Sequence, residues 1–163
     1  MSGIFCHAFS PNMLLIMDGK HILLGVSGGI AAYKAPQLVR DLRSAGADVS
    51  VVMTRSASKF VTATSLQAVS ERRVREDLWD ADAEGAMSHI ELARWADIVV
   101  IAPATAHIIA RLAGGVADDL LTTLCLATKA PIMVAPAMNQ QMWLHPATQR
   151  NVELIKSQGA NIL

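Results

Sequence analysis

This sequence predicts a single doubly wound α/β domain, in which a mostly parallel sheet carries helices on both faces. Short runs that are apolar almost throughout recur along the chain, as a sheet covered on both sides requires. Stretches with helical spacing separate those runs, and most of them end at glycine. A length of 163 residues holds one hydrophobic core and little else.

Residues 1–19, "MSGIFCHAFSPNMLLIMDG", contain a short apolar piece that Pro11 and Asn12 interrupt, with no basic leader before it. They read as a loosely attached extension, and the domain is expected over residues 20–163. The first strand is "HILLGV" (21–26), which runs into "GVSGGIAAYK", so that Ser27, Gly28 and Gly29 turn the chain into a helix. That helix, "IAAYKAPQLVRDLRSAG", has Leu38, Val39 and Leu42 on one stripe and Gly46 at its end; Pro36 marks a kink or a late start. "DVSVVM" (48–53) is the second strand. Next, "SHIELARWAD" is a short helix with Ile90, Ala93 and Trp95 on its stripe, followed by the strand "DIVVIAP" (97–103).

Pro103 is expected to stop that strand, leaving Ala104, Thr105 and Ala106 to open the next helix with small side chains and exposed amides. "ATAHIIARLAGG" ends at Gly114 and Gly115, and "DDLLTTLCLA" carries its acidic residues in a favourable first turn. "APIMVAP" (130–136) is a fourth strand. "PATQRNVELIKSQG" has Pro146 at its first position, Thr148, Val152 and Ile155 on one face, and Gly159 as its stop; "ANIL" then starts a further strand.

Composition removes several functions. Lys plus Arg and Asp plus Glu are 14 each, and only 4% of residues are aromatic, so nothing steers or stacks a nucleic acid. Arg72, Arg73 and Arg75, flanked by Glu71, Glu76 and Asp77, read as a solvated mixed face. Cys6 and Cys125 form neither a disulfide framework nor a metal cluster, and His7, His21, His107 and His145 show no ligand spacing. No metal, no membrane and a reducing, cytoplasmic setting are the expectations.

Ligands of such a fold sit beyond the C-terminal strand ends. At the first of these, the Ser27, Gly28 and Gly29 turn exposes backbone N–H groups at a helix start, which suits a phosphate. A lone glycine pair fits a plain turn equally well; the small-residue run from Gly28 to Ala32 favours the ligand. The G-x-G-x-x-G spacing of dinucleotide sites and the G-K-[ST] of P-loops are both missing. After the second strand, Thr54 and Ser56 offer hydroxyls and Arg55 a cation. His89 begins a short helix, where a neutral imidazole can accept a proton or simply cap the turn. The fourth strand end reads "PAMNQQMW" (136–143), with no ordinary acid, base or nucleophile. Asn139 there points to recognition by hydrogen bonds, with the electronic work left to a cofactor.

Taken together, "GVSGGIAAYK", "SHIELARWAD", "APATAHI" and "PAMNQQMW" resemble the homo-oligomeric flavin-containing cysteine decarboxylases, over residues 20–163. The last segment fills that family's P-x-M-N-x-x-M-W pattern at each fixed position. The resemblance implies an FMN-binding Rossmann-like flavoprotein, assembled as a trimer or dodecamer with FMN near a subunit boundary. It implies FMN-dependent decarboxylation of 4′-phosphopantothenoylcysteine to 4′-phosphopantetheine in coenzyme A biosynthesis, through a thioaldehyde and an enethiolate, with a fused synthetase domain after Leu163.

By position, the resemblance makes His89 the active-site histidine and Asn139 the substrate-binding amide, with Ala137, Met138 and Met142 shaping the substrate pocket. Ser27, Gly28, Gly29, Thr54, Ser56, Phe60, Ala104, Thr105 and Ala106 fall where FMN is contacted. The family's proton-donating Cys lies on a C-terminal flap; neither Cys6 nor Cys125 stands at its place, and the flap is absent from residues 20–163. A peptidyl-cysteine decarboxylase, a flavin prenyltransferase-like enzyme and a non-catalytic FMN-binding regulatory subunit are the alternatives.

Overall fold

A computed structural model describes residues 17–79 and 88–163. Its five strands form one parallel sheet in the order β2-β1-β3-β4-β5: β1 (His21–Val26), β2 (Asp48–Met53), β3 (Ile98–Ala104), β4 (Ile132–Pro136) and β5 (Asn161–Ile162). The helices are α1 (Ala35–Ser44), α2 (Ala63–Ser70), α3 (His89–Trp95), α4 (Ala106–Ala113), α5 (Leu120–Ala127), α6 (Gln140–Leu144) and α7 (Pro146–Ser157). The chain winds from β1 to β2 on one side and from β3 to β5 on the other. The order of the strands therefore reverses between β1 and β3.

Period-two alternation splits the strand side chains between two cores. Ile22, Leu24, Val26, Val49, Val51 and Met53 pack with Leu38, Val39 and Leu42 of α1 and Leu66 of α2. Leu23, Val52, Val99 and Ile101 point the other way, against α3, α4, α5 and α7. The near-continuous apolar runs of the sequence follow from this arrangement, since both faces of β1, β2 and β3 lose water. Packing also reaches back to Met17, inside the stretch read as a loose extension, where the side chain is buried in the first core. Residues 1–16, with Cys6 and His7, lie outside the described residues.

Pro36 marks a late start: residues Ile30–Lys34 form a 3-10 turn, and α1 begins behind it with proline in its first turn. Pro103 does not stop β3. The strand runs through to Ala104, and the lost N–H of the proline appears as a register irregularity against β4 between Ile101 and Ala104. Ala104 thus ends the strand, Thr105 caps α4 through its hydroxyl, and Ala106 is the first helical residue. Asp119 is the cap of α5 rather than part of its first turn, and shares a reciprocal capping box with Thr122. Two short helices went unread in the sequence. α2 has a weak stripe, and α6 begins on Asn139, whose side chain accepts from the Gln141 N–H.

Arg75 departs from the expected solvated face. Its backbone N–H donates to the Val51 carbonyl at 3.0 Å and its carbonyl accepts from Met53 at 2.8 Å, which buries it along the open edge of β2. Arg72 stays outside, bonded to both oxygens of Asp48 and lying over the Trp95 ring.

Gly25 in mid-β1 lets α5 pack closely on the sheet: a Cβ there would stand 3.0 Å from Cδ2 of Leu121 on α5, with other Leu121 atoms also in reach. Gly25→Ala is expected to cost about 1–3 kcal/mol through overpacking, read as a lower thermal midpoint. Leu121→Ala added to it should recover part of the loss; a midpoint unchanged by Gly25→Ala would show that this contact relaxes freely.

Candidate functional site

Because all strands are parallel, the ends of β1, β2, β3 and β4 reach the same edge of the sheet. The reversal between β1 and β3 parts the loops there and opens a crevice. Its two lips are tied together by Ser27. The Ser27 hydroxyl donates to the Pro103 carbonyl at 2.6 Å and accepts from the Thr105 N–H at 3.1 Å, while the Ser27 N–H donates to the same carbonyl at 3.3 Å. Thr105 Oγ1 lies 3.4 Å from the Ser27 hydroxyl and itself receives the Ile108 N–H. Ser27 is only 2% exposed. Of the amides expected to be open at this corner, that of Thr105 is therefore already used.

The β2 end forms one wall. Thr54 is bonded through its N–H to the Val26 carbonyl at 3.0 Å, and its hydroxyl stands 3.2 Å from that of Ser56. A Cβ on Gly28 would stand 2.7 Å from the Ser56 carbonyl carbon, so only glycine lets the β1 turn lie on the β2 loop. Phe60 projects from the same loop, partly exposed.

The β4 end forms the other wall. The Ala137 N–H donates to the Ala104 carbonyl at 2.9 Å, and a Cβ on Gly29 would stand 3.2 Å from Thr105 Cγ2 and 4.0 Å from the Ala137 carbonyl oxygen. Gly29 therefore sits where the β1, β3 and β4 loops meet. Gly28, Gly29, Ala31, Ala32, residues 104–106 and Ala137 keep side-chain bulk small where these loops meet, and a side chain at Gly28 or Gly29 would crowd the junction.

Beyond Ala137 the segment divides. Met138 and Trp143 turn toward β5 and, with Pro136, Ile162 and Leu163, line a cavity of about 200 Å³. Asn139 and Met142 are exposed at the start of α6, and Asn139 uses its carbonyl oxygen on the Gln141 N–H at 2.8 Å. Its amide NH₂ makes no hydrogen bond among the described residues, which keeps two donors available. His89 is the first residue of α3, behind the capping box of Ser88 and Glu91. Its Nδ1 is buried with no hydrogen-bond partner among the described residues. No described contact joins His89 to the crevice, and Met138 likewise faces away from it. Ile30 and Tyr33, two large apolar side chains on the first turn after the glycines, are 74% and 61% exposed beside this junction.

A second cavity, about 520 Å³, opens at the opposite edge of the sheet, among the C-terminal ends of α4, α5 and α7. Cys125 lines it and is the wrong thiol for proton delivery at the crevice. Burial, reinforced by the negative charge of Asp119, pushes the Cys125 thiol up to about 12. In a Cys6→Ser background, a thiol reagent at pH 8 is expected to leave the native protein almost unlabelled and to label Cys125 in denaturant; rapid native labelling would show that α5 opens readily. Among the described residues no group of three or more His, Cys, Asp or Glu could hold a metal, and no helix is long and apolar enough to cross a membrane.

The strand order and the small-residue crevice at the β1/β3 reversal define a doubly wound protein of the mononucleotide-binding type. The flavoprotein family model matches residues 14–163, and the chain belongs to that family. It is 61% identical over 143 residues to the bifunctional coenzyme A biosynthesis protein CoaBC of Escherichia coli (strain K12), covering 88% of this chain and 35% of that protein. To CoaBC of Bacillus subtilis (strain 168) it is 46% identical over 144 residues, covering 88% and 36%. The chain thus spans about a third of the length of the curated relatives it matches. Among solved structures, the FMN-dependent cysteine decarboxylase SpaF superposes with a TM-score of 0.84 at 35% identity, covering 90% of this chain and 85% of that one. A PPC decarboxylase mutant complexed with pantothenoylaminoethenethiol gives 0.75 at 34% identity, covering 89% and 81%.

Proposed function

We propose that this domain is an FMN-dependent carboxy-lyase that converts 4′-phosphopantothenoylcysteine to 4′-phosphopantetheine in coenzyme A biosynthesis. The observation that carries the reading is the meeting of three loops at Gly29, which brings the "PAMNQQMW" segment beside the glycine turn at the β1/β3 reversal. The identity of 61% to a bifunctional coenzyme A biosynthesis protein supports the small phosphorylated substrate over a peptide.

In this reading Gly28, Gly29, Thr54, Ser56, Phe60 and residues 104–106 would hold FMN. Bound FMN supplies a reversible two-electron acceptor that makes the thiol-bearing carbon able to take up the electron pair left by CO₂. Asn139 offers a neutral amide to the substrate, donating and accepting without adding charge beside its carboxylate. Ala137 and Met142 shape the pocket around that carboxylate, whereas Met138, expected there from the motif, packs toward β5 instead. His89 accepts the thiol proton, and the buried Nδ1, without a hydrogen-bond partner among the described residues, supports an imidazole whose hydrogen bonds are completed in the assembled site.

The same proposal includes a homo-oligomer, a trimer or a dodecamer, with the crevice at a subunit boundary. Its support is the exposed apolar set Ile30, Tyr33, Phe60, Met142 and Leu144, which surrounds the C-terminal strand ends. A cytoplasmic location, the domain limits 20–163 and a fused synthetase after Leu163 complete the reading; the length of the bifunctional relatives supports the last.

Incubating FMN-loaded protein with 4′-phosphopantothenoylcysteine and weighing the product tests the proposal. 4′-Phosphopantetheine is the expected product. A product lighter by two hydrogens would mean that oxidation and CO₂ loss proceed without the final reduction and protonation, and untouched substrate would overturn the reading.

A further inference from the structure

Ser27 enters the sequence pattern as a residue expected to touch the ligand, yet its hydroxyl is spent elsewhere. It donates to the Pro103 carbonyl at 2.6 Å and accepts from the Thr105 N–H at 3.1 Å, bridging loops 76 and 78 residues apart in the chain. At 2% exposure the group offers a ligand almost no surface. The bonds join the two strands between which the sheet reverses, β1 and β3, which is where the doubly wound fold otherwise lets its loops diverge.

We propose that Ser27 is a positioning residue: its hydroxyl stitches the β1 turn to the β3 turn and so sets the width of the crevice between Gly29 and Thr105. The proposal rests on the flavin reading of that crevice. The contacts downstream of the stitch give the reason. Thr105 is the cap of α4, and its methyl faces Gly29 closely enough that a Cβ there would stand a tight 3.2 Å away. Ala104, one residue back, holds Ala137 through the Ala137 N–H. Moving Thr105 therefore moves the β3 lip and the β4 wall together. Without the hydroxyl, the Thr105 N–H loses its partner and the Pro103 carbonyl keeps only the longer bond from the Ser27 N–H. The span of the crevice then rests on that longer bond alone at this corner, and part of the ordering of both walls is charged to binding. Any ligand lying along the crevice suffers, with or without a phosphate.

The test compares Ser27→Ala with the unaltered chain in three measurements: affinity for FMN, affinity for riboflavin, and hydrogen exchange at the Thr105 amide in the flavin-free protein. The expected result is that both flavins bind roughly tenfold more weakly, by a similar factor, and that the Thr105 amide exchanges faster with no ligand present. Loss confined to FMN would overturn the proposal, because it would mark Ser27 as a direct phosphate contact. Unchanged affinities with a lowered thermal midpoint would overturn it too, leaving Ser27 a purely structural bond. Should Ser27→Ala not fold, Ser27→Cys keeps the volume, weakens both bonds and is read in the same way. If the unaltered chain binds neither flavin, the flavin reading fails and takes the ligand role of Ser27 with it, whereas exchange at Thr105 still decides whether the stitch holds.

Discussion

His89→Asn is expected to retain FMN with its normal visible spectrum and to lose its reduction by substrate. The fall in rate should be on the order of 100- to 10,000-fold, the usual worth of a positioned proton acceptor. The substitution leaves the helix start intact, because the α3 cap is built from Ser88 and Glu91: the Ser88 N–H donates to the Glu91 carboxylate at 2.7 Å and the Ser88 hydroxyl receives the Glu91 N–H at 3.2 Å. Asn fits the first turn and can still offer hydrogen bonds, so only the basic ring nitrogen is removed. Anaerobic mixing with 4′-phosphopantothenoylcysteine, followed at the flavin band, reads the outcome. Bleaching at the normal rate would take His89 out of proton transfer.

Asn139→Asp is expected to weaken substrate binding by roughly tenfold or more. Two carboxylates at about 4 Å repel by about 1 kcal/mol in water and about 4 kcal/mol near a protein surface, and Asn139 is exposed, which favours the lower part of that range. The substitution is clean with respect to fold, since Asp caps a helix as well as Asn and can accept the Gln141 N–H in the same way. Titration of substrate into the FMN-loaded variant gives the affinity directly. An unchanged value would place the substrate carboxylate away from Asn139 and reopen the role of the whole "PAMNQQMW" segment.

How far the site was legible depended on which bonds made it. The end of α4 at Gly114 and the late helix start at Pro36 are local events, governed by neighbours three or four residues away, and both were readable. Pro103 was misread because proline inside a strand is judged by what it lacks, and the lost N–H can be absorbed by a register shift that only the partner strand reveals. Arg75 was misread for a related reason. A charged cluster predicts solvent, but the backbone of that residue was drawn onto the edge of β2 and its side chain went with it. α6 was hidden because one turn of helix gives no stripe to detect.

Sequence alone determined the sheet, the two-faced burial of its strands and the four loops that carry small or amide side chains, because apolar periodicity and turn chemistry act over a few residues. It also carried the family, through a motif whose residues are adjacent in the chain. Only the tertiary structure decided that Ser27 belongs to Pro103 and Thr105, that Gly28 must be glycine to lie on Ser56, and that Met138 turns from the crevice toward β5. The physical reason is that parallel strands are joined by long crossovers. Gly29 and Ala137, which meet at the crevice, stand 108 positions apart, and no local pattern encodes that they will meet.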